Sequence, residues 1–190
     1  MPRPDHGVRG RCKTREVSKW GATTYGDPCR ECGFTWELTA DDAVLVVSSA
    51  PAAYGEVLRH ASGYESTPEL AWNLVSYVAH VADNLRVWGE RLAAAAGPGE
   101  PVTLVAYDSD ALAAARRYDL LPLSGVLWGL GEAAASWERA WRSADRSRSF
   151  LHPDRGCIVP EDIARTNAHD VVHHQLDVRR CLDGSGRTRT

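Results

Sequence analysis

Long hydrophobic runs are missing from this chain. The stretch Ala43 to Val47 is cut by Ser48, Ser49 and Pro51, so nothing approaches the roughly 20 apolar residues of a membrane-spanning helix. Residues 1–28 hold no apolar segment that would serve as a secretory signal. An excess of either charge is also missing: 22 Lys and Arg stand against 25 Asp and Glu, a formal charge of -3 with a pI near 6.2. That balance excludes the basic footprint of a nucleic-acid-binding protein. Cysteine is sparse. The five present are an odd number scattered along the chain, which argues against a secreted disulfide framework and for a reducing, cytoplasmic setting. No internal repeat is found, and only two phenylalanines.

What is present is tryptophan and helical periodicity. Seven tryptophans, at 20, 36, 72, 88, 128, 137 and 141, are expected to act as core anchors or pocket walls. At 190 residues the chain fits one domain with a real core. The run Thr39-Ala-Asp-Asp42 predicts the capped start of a first long helix reaching about residue 61, with Pro51 expected to kink or divide it. Thr67-Pro68-Glu69 predicts a second helix, reaching residue 96 before Gly97-Pro98-Gly99. Its apolar stripe runs through Leu70, Leu74, Val78, Val81, Leu85, Trp88 and Leu92. A short helix is expected over 109–119 and a third long helix over 122–144, while 145–156 shows no helical or strand period and reads as a loop. The expected fold is therefore all-α: a four-helix bundle over 37–183, with a short extra helix, an irregular N-terminal extension (1–36) carrying a CxxC, and a flexible tail (184–190).

The last helix, from Pro160 to about Asp183, concentrates metal-ligand side chains. Relative to its apolar stripe of Ile163, Ala164, Ala168, Val171, Val178 and Leu182, His174 lies within roughly 60° and Asp170 about 100° away. His169 and His173 fall almost opposite. Asp170 and His174 are one turn apart, a spacing that lets a carboxylate and an imidazole reach one ion with a third ligand from another helix. The pair His169 and His173 has the same spacing and competes with it; periodicity favours Asp170 and His174. Upstream, Cys29-x-x-Cys32-Gly reads as half of a zinc knuckle, for which Cys12, His6 or Cys157 are available to complete the site. A reactive dithiol, or two unligated thiols beside a turn, are the other readings.

Three segments together resemble the DinB-like superfamily of metal-binding four-helix bundles, which includes the mycothiol-dependent maleylpyruvate isomerases. They are Tyr77-Val-Ala-His80-Val-Ala-Asp83-Asn-Leu-Arg86-Val-Trp88, Tyr107-Asp108-Ser-Asp110, and His169-Asp170-Val-Val-His-His174-Gln-Leu-Asp177. The resemblance implies a divalent ion (Zn, Ni, Fe or Mn) on His80 and on either Asp170 with His174 or His169 with His173. It implies further that a low-molecular-weight thiol such as mycothiol is activated at the metal for transfer or isomerisation of a small-molecule substrate. Asp177 and Asn167 would then orient the ligands, Tyr77 or Asn84 would contact substrate, and Trp88 would form an apolar wall. Two other outcomes stay open: a hydrolase or lyase using bound water, and a non-catalytic bundle stabilised by its metal. Neither nucleic acid nor membrane is expected as a partner, and a homodimer is left open.

Overall fold

A computed structural model describes residues 21–187, with side chains through Ser185. Four long helices dominate it: α2 (Ala40–Val57), α3 (Leu74–Ala93), α5 (Leu123–Ser143) and α6 (Pro160–Arg187). Two short ones, α1 (Ala22–Tyr25) and α4 (Ser109–Arg116), flank them. Contacts run from α3 to α5 and α6, and from α2 to α6 and α5, so the long helices close a ring in the order α2, α5, α3, α6. The expected all-α bundle is the observed one.

Each start has a local cause. The Thr39 hydroxyl accepts the Asp42 amide, with Asp41 and Asp42 in the first turn of α2. Pro51 does not divide α2, which continues unbroken through it to Val57. The second long helix starts later than expected, because Asn73 caps it by accepting the Ser76 amide at 3.1 Å. The Thr67-Pro68-Glu69 segment is instead held in a non-helical turn, with Leu74 N–H donating to Glu65 O and Val75 N–H to Gly63 O. At the other end of the chain, α6 passes through Gly184 rather than stopping there. A β-carbon on Gly184 would stand 2.7 Å from Thr67 Cβ, so the glycine marks a close approach of α6 to residues 66–67.

The segment read as a loop contributes to a small sheet that also takes in residues 102–103 and runs on to Ile158. Strands β1 (Val102–Thr103), β2 (Phe150–His152) and β3 (Gly156–Ile158) lie in that order, β1 parallel and β3 antiparallel to β2, with Phe150 paired to both Val102 and Ile158. Phe150 and Ile158 are buried while Leu151 faces out, the alternation of a sheet covering a core on one face. The core itself is filled by Trp88, Trp137, Tyr54, Leu85, Leu130 and Ile163, all nearly or fully buried. No helix among the described residues is long and apolar enough to cross a membrane.

Candidate functional site

Near the middle of α6, successive residues face different neighbours. Asp170 and His174 turn toward α3, where they line a cavity of about 310 Å³ together with His80 and Asn84. The rest of its wall comes from Trp72, from Tyr107 and Ser109 at the start of α4, from Tyr25 of α1, and from His152, Asp154 and Arg155 of the β2–β3 hairpin. The rings of His80 and His174 meet edge to face with centroids 4.8 Å apart.

Both α6 donors are held by hydrogen bonds. His174 Nδ1–H donates to Asp177 Oδ2 at 2.9 Å, which leaves the other ring nitrogen available, and Tyr77 stacks on the same imidazole at 5.6 Å. Asp177 in turn lies 3.3 Å from the Arg180 guanidinium. The Asn84 amide donates to Asp170 Oδ2 at 2.5 Å, and Asn84 Oδ1 accepts the Tyr107 hydroxyl at 2.7 Å. Burial, reinforced by the proximity of His174, lowers the His80 imidazole to about 4, so it is neutral at pH 7 with an available lone pair. Burial alone would raise the Asp170 carboxyl, but the imidazoles of His169, His174 and His80 outweigh it and hold the group below its ordinary range. The result is two imidazoles and one ionised carboxylate around one opening.

His169 does not face solvent as its place opposite the apolar stripe suggests, and His173 is half-buried. His169 is 1% exposed. Residues 21–38 lie across this side of α6 and surround His169 with the rings of Tyr25, Phe34 and Trp36, at 4.5, 5.5 and 4.8 Å. The same segment brings Cys29 and Cys32 to the two histidines, and the donor atoms of the four residues all lie within 4.8 Å of one another. Burial pushes the Cys29 thiol up, yet the Cys32 amide, His169 and the Glu31 amide reverse this and bring it down to about 6. Of the residues available to complete a knuckle, Cys12 and His6 fall outside the described residues, and Cys157 lies on β3, is disulfide-bonded against the expectation of a reducing setting, and is not part of this group.

Other expected roles are placed differently. Asn167 is fully buried and accepts the Trp137 indole N–H at 2.8 Å, so it serves the core and does not orient a ligand. Trp88 is buried between Arg91 and Arg155 and is not in the cavity wall; Trp72 takes that place. Tyr77 packs behind His174 rather than into the cavity, whereas Asn84 does line it. Tyr25 and Arg155 carry no signal in the sequence, because both reach the cavity from segments without helical period.

No protein-family model and no curated protein matches the sequence. Among solved structures, YfiT from Bacillus subtilis aligns over 78% of this chain and 87% of its own, with a TM-score of 0.62 and 21% identity. The chain has the fold of YfiT. That protein is described as a probable metal-dependent hydrolase with an unusual four-helix bundle topology. At this identity the likeness to YfiT establishes the architecture.

Proposed function

We propose that the chain is a metal-dependent enzyme acting on a small molecule, with His80, Asp170 and His174 as metal ligands. The observation that carries this reading is their convergence on one cavity, with Asp177 and Asn84 holding the α6 pair by hydrogen bonds. The donor set fits a divalent ion. His80 is kept neutral, His174 has its Nδ1–H committed to Asp177, and Asp170 stays ionised, a combination suited to zinc, nickel, iron or manganese. Three protein ligands beside a cavity leave room for a reactant, as in catalytic rather than structural sites. A bound ion would supply Lewis acidity there.

The chain's own groups then have distinct tasks. Burial and the nearby Asp170 push the Tyr107 hydroxyl up to about 12, so it remains protonated and keeps the Asn84 amide turned toward Asp170. The Arg155 guanidinium, in the same cavity, offers positive charge to an anionic group on the substrate, and Trp72 and Tyr25 supply apolar wall. Hydrolysis, with water as the second reactant, is the preferred reaction; the fold shared with YfiT, itself described as a probable metal-dependent hydrolase, supports it. A second reading rests on resemblance alone: Asp170-x-x-x-His174-x-x-Asp177 is similar to the pattern of the mycothiol-dependent isomerases, which implies a thiol in place of water for transfer or isomerisation.

Turnover of activated esters and amides by metal-loaded protein, with and without a small-molecule thiol, separates the two. Thiol-independent turnover that disappears in His80→Ala supports hydrolysis, and turnover that requires the thiol supports transfer. Stoichiometric metal with neither activity leaves a metal-stabilised bundle. Failure of His80→Ala and His174→Ala to lose metal would sink the ligand assignment.

A further inference from the structure

The Cys29, Cys32, His169 and His173 cluster is separate from the cavity, and its geometry is tighter. In a tetrahedral zinc site with Zn–S near 2.3 Å and Zn–N near 2.05 Å, neighbouring sulfur and nitrogen donors stand about 3.6 Å apart and two sulfurs about 3.8 Å apart. Here all four donors lie within 4.8 Å of one another, and Cys29 Sγ is 3.8 Å from His173 Nδ1. The second, independent observation is His169. It is 1% exposed, and neither of its ring nitrogens is within hydrogen-bond distance of a partner, Asp170 Oδ1 standing 3.7 Å from its Nδ1. A buried imidazole without a partner is costly, and an ion at the centre of the cluster would satisfy one of its two ring nitrogens.

The backbone is arranged for this. Cys29 N–H donates to Phe34 O at 2.8 Å and Gly33 N–H to Cys29 O at 2.9 Å, closing a loop that presents both sulfurs to α6. Gly33 sits at φ 73°, a left-handed conformation that favours glycine over a residue with a β-carbon. The aromatic rings around His169 give the cluster an apolar shell.

We propose that Cys29, Cys32, His169 and His173 form a closed, four-ligand structural zinc site that clamps residues 21–38 onto α6. Two thiolates and two imidazoles match zinc, and four protein ligands leave no position for a reactant. The clamp has a consequence for the cavity, since Tyr25 belongs to the clamped segment and lines it, and His169 and His173 each adjoin a cavity donor, Asp170 and His174. One stretch of α6 thereby serves a closed structural centre and an open one. The zinc clamp does not depend on the cavity binding metal.

The test is cobalt substitution of the full chain during expression. The wild type is expected to show thiolate-to-cobalt charge-transfer absorption with the intense ligand-field bands of a tetrahedral ion. His80→Ala should keep these features, and His173→Ala and the double variant Cys29→Ala, Cys32→Ala should lose them. A cavity ion with only nitrogen and oxygen ligands gives no thiolate band, so failure of either centre is recognisable by itself. A wild-type spectrum without that band overturns the proposal, as does a band that survives in His173→Ala. If the variants do not fold, alkylation of the native zinc-loaded protein decides: Cys29 and Cys32 should be protected until a chelator is added. Equal rates with and without chelator contradict the clamp.

Discussion

Asp177 shows how much of the proposed chemistry rests on a residue that touches no reactant. Its Oδ2 fixes the His174 imidazole at 2.9 Å and so decides which ring nitrogen is left for the cavity. Replacing it with Asn keeps the shape but weakens the anchor. Partners of this kind typically contribute 10- to 100-fold in metal affinity, so Asp177→Asn is expected to weaken metal binding at the cavity by about that factor, read by competition with a chromophoric chelator, with the thiolate centre unaffected. Unchanged affinity would remove Asp177 from the site. The pairing Asp170 with His174 is readable from spacing alone, because residues four apart share a helix face. His169 is not. A helical period registers burial only against the side that carries the apolar stripe, and the cover over His169 comes from Tyr25, Phe34 and Trp36 in a segment with no period to read.

At the level of elements, α3 and α5 approach each other closely at Gly89. A β-carbon there would stand 3.2 Å from Trp137 Cα and 3.5 Å from Trp137 N, backbone atoms in the middle of α5 that cannot swing aside. Alanine in a helix interior normally gains up to about 1 kcal/mol over glycine, whereas forcing a methyl into a packed interface costs about 1–3 kcal/mol. Gly89→Ala is therefore expected to destabilise on balance, lowering the denaturation midpoint; a raised midpoint would show that α3 and α5 separate easily. The turn before α3 makes a different prediction. Burial would raise the Glu65 carboxyl, but the amides of Ser62 and Gly63, which it accepts at 2.7 and 2.8 Å, outweigh burial and lower it. A depressed carboxyl stabilises the fold above its unfolded value of about 4.3 and stops doing so as pH falls through its folded value. The stability gap between wild type and Glu65→Gln should be present near neutrality and close on acidification below about pH 4. A gap of constant size would deny the carboxylate that role. This turn also explains why the start of α3 was misplaced by sequence: Thr67-Pro68-Glu69 has the composition of a helix start, but the Glu65 and Asn73 bonds hold the chain open until residue 74.

For the whole molecule, the four long helices were legible because each spans many turns of consistent apolar spacing, which averages out local exceptions such as Pro51. The sheet was not, since strands of two and three residues are too short to show a period. That omission hid Arg155, which reaches the cavity only because the β2–β3 hairpin folds over it. Two ions bound only to the folded state would make stability depend on metal by mass action, each adding about 2.7 kcal/mol at a hundredfold excess over its dissociation constant. Chelation should lower the thermal midpoint, and wild type should lose more than His80→Ala or His173→Ala; an identical loss in all three would argue against two separate centres. Whether neighbouring residues of one helix serve two different metal centres is decided by the metal stoichiometry of purified wild type, His174→Ala and His173→Ala, measured by elemental analysis. Two equivalents are expected in the wild type and one in each variant, with the thiolate-ligated ion surviving only in His174→Ala. Loss of the same single ion in both variants would contradict that arrangement.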